Sequence, residues 1–400
     1  MRIAVMLVPA LLWGCASKPE QRGAAAPQMT TSVERKAEQK FSDRLGQFVI
    51  SPQFDFAAPF REGLAAVRIG DKKTGRWGFI DKQGKMVIAL QSSWHSAYHF
   101  SDGLAHVELR GDKRRWGYVN KLGELVFESR FDSSDSFEDG LAKVRVGTAS
   151  TGKRGYIDKQ GKLAIPPQFD AAESFSEGIA AVRIGDATTG KWGYIDKQGA
   201  MVVPPRFDIA YEFSEGLAAV FIGDRKTSKG KWGFVDKRGS LVISPQFDDA
   251  YGFSEGLARV RMGDDDTGKW GFIDKQGIMV IAPRFNSAYE FSDGRAAVRF
   301  AEGEVDKWGY IDKQGRLVIN SHVDKSGKVL AEPWFVLTGL FSEGLASARA
   351  PDRDGKNGFI DVHGNWVIQP QFDDYKKFLD GLAPVYVGTP ESGKWGYISR

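Results

Sequence analysis

The sequence predicts an all-β fold: a tandem array of nine antiparallel units of ~38 residues, arranged like a β-propeller. Three observations predict it. A Trp-Gly pair, or its replacement, falls at Trp77, Trp116, Arg154, Trp192, Trp232, Trp270, Trp308, Asn357 and Trp395, with spacings of 39, 38, 38, 40, 38, 38, 49 and 38 (116 − 77 = 39, and so on). A second phrase, Phe213-Ser-Glu-Gly-Leu-Ala218, keeps the same beat, with counterparts starting at Phe60, Phe100, Phe137, Phe175, Phe253, Phe291, Phe341 and Phe378. Third, the repeat is broken at the two ends in complementary ways. Gly46–Asp55 is the second strand of a hairpin without its first, and Lys394–Ser399 is a first strand without its second. Joined, they complete a ninth unit and leave no unpaired edge, as when a propeller blade is completed from both termini. The alternative is an open, curved solenoid of the same hairpin units, because nine blades in one ring would be unusual.

The founding hairpin is Lys191–Asp208. Trp192, Tyr194 and Ile195 are aromatic or β-branched and suit a half-buried strand. Asp196-Lys-Gln-Gly199 is a four-residue turn, with Asp to bond back to the backbone and Gly to accept positive φ. Met201, Val202 and Val203 return as the second strand. Pro204 and Pro205 lack N–H donors, so that strand must end there or lie at an edge. Each full unit holds four strands. In the sixth these are Asp249–Phe253, Leu257–Arg261, Trp270–Ile273 and Met279–Ala282, with a Ser254-Glu-Gly256 turn and a Gly263–Gly268 loop between them. Leu257 and Val260 do not alternate cleanly, which places a bulge or twist in the second strand.

Ahead of the array, Met1–Cys15 reads as a secretory signal. Arg2 supplies positive charge, and the apolar run Ile3–Leu12 is too short for a helix to span ~30 Å of bilayer. The run ends Leu12-Trp-Gly-Cys15, which resembles the lipobox of bacterial lipoproteins, although Trp13 stands where a small or aliphatic residue is usual. The resemblance implies lipidation of Cys15 and a stable anchor, each buried CH₂ being worth ~0.8 kcal/mol. Ala16 and Ser17 follow, with no Asp, which by the same analogy favours the outer membrane. The competing reading is a plain secretory signal, or an N-terminal segment with a chance cysteine. Residues 16–40 are polar and without apolar periodicity, a flexible tether, and residues 41–400 form the repeat domain.

Composition narrows the function. The net charge of +4 over 400 residues is small and its Lys and Arg are spread evenly, so no nucleic-acid footprint is present. One cysteine allows neither an internal disulfide nor a cysteine-based metal site. No nucleophile elbow, zinc-protease, phosphate-loop or dinucleotide-binding motif occurs. The sequence therefore points to a non-catalytic protein with no cofactor.

Taken together, Lys-Trp-Gly-Tyr-Ile-Asp-Lys-Gln-Gly, then Val-Val-Pro-Pro-Arg-Phe-Asp, then Phe-Ser-Glu-Gly-Leu-Ala resemble the WG-repeat (KWG) family of bacterial proteins, from residue 46 to 400. The resemblance implies exported, β-rich repeat proteins with interaction roles, and no shared catalytic residues. Arg154 and Asn357 depart from the pattern, so their units are expected to pack less tightly.

Residues present in every unit maintain a repeat fold, so Trp192, Phe207, Phe213 and Leu217 read as core and Glu215-Gly216 as a turn. Gly193 is expected to let a backbone or ring approach closely. Function is sought in departures from the repeat. His95, His99 and His106 lie within twelve residues and are a candidate ligand or metal site, against drift of surface positions. Trp334 and Phe335, in the long unit, are candidate partner contacts on a protruding hairpin around Val323–Leu330, against a core role. The acidic loop Asp264–Gly268, echoed at Asp352–Gly355, has no calcium-loop spacing and reads as a solvated turn. The leading expectation is a lipid-anchored scaffold in the bacterial envelope that binds envelope proteins through loops such as 224–230 and 264–268. A second is an envelope-glycan binder using exposed aromatics in register. A hydrolase sited in the second unit is a third.

Overall fold

The computed structural model describes residues 46–113, 115–224, 229–302, 305–320, 336–337, 339–350 and 355–400. These form nine four-stranded antiparallel sheets, the blades of a nine-bladed β-propeller, with no helix among the described residues. Blades 1 to 8 run from Phe56, Trp94, Ser133, Ala171, Ile209, Asp249, Ser287 and Val336 in turn. Blade 9 takes its inner three strands from Asp374–Tyr375, Leu382–Val387 and Lys394–Ser399, and its outermost from Phe48–Phe54 at the other end of the chain. Phe48 faces Ile398, Ile50 faces Tyr397 and Phe54 faces Trp395. The complementary half-units thus close a ring, and the open solenoid is set aside.

Within a blade the strands follow chain order from the centre outward. In blade 6 they are Asp249–Ser254, Leu257–Met262, Lys269–Ile273 and Met279–Phe285. The irregularity expected in the second strand lies in the first. Ala250 pairs with Val260 and Phe253 with Ala258, so Tyr251 and Gly252 together oppose Arg259 alone. That bulge bends the innermost strand where neighbouring blades crowd together.

The Trp-Gly pair is explained by the outermost strand. A Cβ on Gly193 would stand 2.3 Å from the Val203 carbonyl oxygen, and one on Gly233 or Gly271 2.5 Å from that of Ile243 or Ile281. A backbone, not a ring, makes the close approach. The prolines do not end the strand, since Met201–Phe207 continues through Pro204 and Pro205. They sit at the blade's outer edge, where a missing donor blocks pairing with another chain.

Core residues lie between blades. Trp192, Phe207, Phe213 and Leu217 are all buried and pack in one cluster or its neighbour, together with Tyr194, Val220 and Val235. The third-strand tyrosines are wholly buried and reach across the joint. The Tyr194 hydroxyl donates to the Tyr211 carbonyl at 2.9 Å, Tyr156 to Glu173 at 2.6 Å and Tyr397 to Ala58 at 2.8 Å.

Candidate functional site

Two sets of groups recur at every joint and hold the ring. On one face, the acid of each inner turn occupies the left-handed region, with Glu215 at φ 54°. Its carboxylate accepts from the next blade's turn glycine: Glu215 from Gly256 N–H at 3.0 Å, Glu255 from Gly294 at 3.0 Å, and so around the ring until Asp380 accepts from Gly63 at 3.0 Å. The nine bonds form a closed circle. Lysines of the outer turns meet five of these acids, as in Lys275–Glu215 at 3.1 Å. Just inside, Ser214 Oγ donates to the Phe253 carbonyl at 2.6 Å and Ser254 to Phe291 at 2.7 Å. On the opposite face, Asp55, Asp170, Asp208, Asp248 and Asp373 each follow a core Phe and accept two bonds, as Asp208 does from Lys191 Nζ at 2.5 Å and from Gly223 N–H at 3.1 Å. The turn acids are latches.

The three histidines of blade 2 have separate surroundings. His95 is exposed beside Glu108, Arg110 and Lys113 in a cavity of about 330 Å³, and its carbonyl accepts from the Trp77 indole N–H at 2.8 Å. His99 is half-buried; desolvation lowers its pKa, Arg61 lowers it further, and Glu138 and Glu62 oppose. His106 is 5 % exposed, stacked 4.5 Å from Trp116 and 5.4 Å from Tyr98, with Ser134 Oγ 3.3 Å from Nε2. Burial pushes its pKa down to about 4. Among the described residues no group of His, Cys, Asp or Glu is placed to hold a metal ion. Trp334, Phe335, Val323–Leu330, Asp352 and Cys15 lie outside the described residues. Asp264 spends its Oδ1 on Thr267 N–H at 2.7 Å and Asp266 N–H at 3.1 Å, closing its own turn, which is the solvated-turn reading.

The inner strands carry what the repeat does not use. In blades 5 to 7 aromatic rings and one cation form a continuous arc. Trp232 stacks on Tyr211 at 4.9 Å, Tyr211 on Tyr251 at 5.9 Å, the Arg259 guanidinium lies 3.7 Å above Tyr251 and 5.7 Å from Tyr289, and Tyr289 meets Trp308 at 5.7 Å. Tyr98 and Tyr289, at equivalent positions in blades 2 and 7, are each 43 % exposed. In blades 3 and 4 the same level is charged. Lys143 bridges Asp135 at 3.3 Å and Glu173 at 3.8 Å, while desolvation, helped by Glu138 and Glu173, raises the pKa of Glu212. At the seam, Lys376 lies 3.8 Å above Phe56 and donates to the Ala57 carbonyl at 2.6 Å; burial lowers its pKa to about 8 against the pull of Asp374. Arg259 and Lys143 replace the Ala219 of blade 5, a departure visible in the sequence but overlooked beside the histidines.

The two units without Trp keep the hydrogen bond that Trp77 makes and lose its ring. Trp77 donates to the His95 carbonyl; Arg154 Nη1 donates to the equivalent carbonyl of Asp170, and Asn357 Nδ2 to that of Asp373 at 3.2 Å. Cavities flank both replacements: one of about 280 Å³ lined by Lys143, Arg145, Arg154 and Glu173, and one of about 960 Å³ between blades 8 and 9 lined by Arg349, Lys356, Asp374, Tyr386 and Trp395.

The chain matches the family model of the WG containing repeat at residues 41–72, 77–112, 116–147, 155–186, 192–225, 232–264, 270–302, 308–321 and 358–395. It belongs to the WG-repeat family, a class of repeat β-propeller. No curated protein matches it by sequence. Among solved structures it is similar to a crystal structure of a eukaryotic initiation factor, at 12% identity and a TM-score of 0.53, covering 86% of this chain and 91% of that one. It is also similar to prolyl oligopeptidase B from Galerina marginata bound to a 25mer macrocyclization substrate, at 11% identity and a TM-score of 0.40, covering 80% of this chain and 56% of that one. A puromycin hydrolase matches at 13% identity and a TM-score of 0.34, covering 84% of this chain and 61% of that one. The chain thus spans little more than half of those two enzymes.

Proposed function

We propose that the protein is a non-catalytic binding ring: a scaffold, lipid-anchored through Cys15 in the bacterial envelope, whose inner wall and surrounding loops engage a macromolecular partner. The observation that supports it is how the repeat spends its chemistry. The turn carboxylates accept from the neighbouring blade, buried tyrosine hydroxyls donate across the joints, and the after-Phe aspartates are paired with lysine. On the inner strands Tyr98 and Tyr289 stand open to solvent at matching heights, the second of them within the aromatic arc. Half-exposed tyrosines of this kind are typical interface anchors.

A second reading, an envelope-glycan binder, gains from the same tyrosines, which are exposed in register while most tryptophans are buried. Photo-crosslinking separates the two. A photoreactive residue at position 289, or at the outer position 122, is placed in the full chain expressed in its own cells. A discrete protein adduct from 289 and not from 122, absent from a control carrying residues 1–40 alone, supports the scaffold. Adducts that disappear on glycan digestion support the second reading, and equal adducts from both positions count against an inner-wall site.

A further inference from the structure

We propose that the cleft between blades 8 and 9 binds a saccharide bearing a carboxylate, with Arg349 gripping the acid. This goes beyond the scaffold reading and stands without it. The cleft is a cavity of about 960 Å³, within the range of about 300–1,000 Å³ usual for small-molecule sites.

It arises from one departure in the repeat. In three blades an arginine of the second strand lies over the indole it pairs with: Arg68 is 5.6 Å from the Trp77 ring, Arg183 5.7 Å from Trp192 and Arg261 6.0 Å from Trp270. In blade 8 the residue opposite Arg349 is Asn357. Asn357 is 2 % exposed and spends its Nδ2 on the Phe372 and Asp373 carbonyls, so it copies the indole's N–H but offers no ring. Arg349 is consequently exposed, and its guanidinium has no hydrogen-bond or ion-pair partner among the described residues. The other charges of the wall are largely spent: Lys356 is paired with Asp373, and Asp55 with Lys394 at 2.6 Å.

A free guanidinium presents a planar fork that fits a carboxylate through two parallel bonds. Around it stand the features a sugar ring needs. Tyr386, Val387, Pro390 and the edge of Trp395 give an apolar wall for the C–H face of a pyranose. The Asp374 carboxylate, which is paired with no lysine among the described residues, is an acceptor for hydroxyl donors. A neutral sugar would leave Arg349 unused, and an aromatic acid would leave that carboxylate without hydroxyl donors.

Calorimetric titration of the full chain with oligogalacturonate, and with a neutral oligosaccharide of equal length, tests this. The acidic saccharide is expected to bind, and R349A to weaken it about tenfold or more, as loss of a charge-assisted pair implies. N357W restores the consensus indole and recaptures Arg349, so it is expected to weaken binding in the same way. Arg349 is exposed, so unchanged melting of R349A keeps the comparison on binding alone. Equal affinity for the neutral saccharide, unchanged affinity in R349A, or no heat with either saccharide would each overturn the proposal. So would displacement of the acidic saccharide by a short peptide that binds tighter through its carboxyl terminus.

Discussion

His106 shows how much a single substitution costs this fold. At its position the siblings place Ala66, Ala181 or Ala219, and an imidazole there must stay neutral to stack between Tyr98 and Trp116. Its folded pKa of about 4 lies below the ordinary 6.5. The unfolded chain therefore takes up the proton first, and stability present above pH 6.5 is lost as pH falls from 6.5 toward 4. The full effect is about 3 kcal/mol. Ser134 Oγ offers it a polar side-chain contact, and Tyr118 packs 5.0 Å away. In H106F the stack remains and the proton is gone, so denaturant melts at pH 7 and pH 4.5 should differ less than in the parent. Equal pH dependence would place the acid sensitivity elsewhere. Lys376 has the same sign in a higher pH window. Its folded pKa of about 8 lies below the ordinary 10.5, so stability rises as pH climbs from 8 to 10.5. K376M should be at least as stable as the parent at pH 7 and should lack that rise in thermal melts. Gly193 is stricter still. G193A drives a Cβ into the Val203 carbonyl, and a loss of about 2–4 kcal/mol is expected in urea melts.

At the scale of an element, the inner turn shows local strain held by a long-range bond. Glu215 sits at φ 54°, a conformation that costs a non-glycine residue roughly 1–2 kcal/mol, and its carboxylate returns the cost through Gly256 and Lys275. E215A keeps the strain and loses both bonds, whereas E215G loses the bonds and relieves the strain. E215G is thus expected to be the more stable of the two by about 1 kcal/mol, in melts under matched conditions. The reverse order would show that the turn is unstrained. Much of this element was legible in the sequence. Phe-Ser-Glu-Gly marks a turn by its glycine, Trp-Gly marks a close approach, and the prolines mark an edge. The partner of the glutamate was not legible, because it lies 41 residues on and depends on how blades splay about the axis. The same gap explains the histidines. Their closeness along the chain suggested a cluster, but register shifts between Trp94 and Ser96 and between Ala97 and Phe100 break the alternation of the strand that carries His95 and His99, and His106 lies on the next strand, so the three went to three environments.

At the scale of the molecule, ring closure was readable from the two half-units, since only joining them leaves every strand paired. It is also the point where the ring is tied to the chain ends. A chain shortened to begin at Phe56 loses the outermost strand of blade 9 and exposes Lys394–Ser399 as an edge. Light scattering is expected to show association, and a synthetic peptide spanning residues 46–55 to reverse it by pairing in its place. A truncated chain that stays monomeric and melts like the parent would mean that closure adds nothing. The cleft between blades 8 and 9 was only half legible. Asn357 announced a missing indole, but that Arg349 opposite would be left exposed follows from the cross-strand register alone.

The circle of turn bonds has one more consequence, for heredity. Each joint is built from a turn carboxylate, of Asp or Glu, and the next blade's glycine N–H, so this bond does not mark a blade as belonging to a given place. An in-frame recombination between two of the copies would delete or duplicate whole blades and still leave every remaining acid facing a glycine. The closing strand would travel with the ends of the gene, untouched. A lineage of such proteins can therefore trial rings of other sizes, and swap a plain blade for one with a Trp-to-Asn exchange, without first breaking the fold.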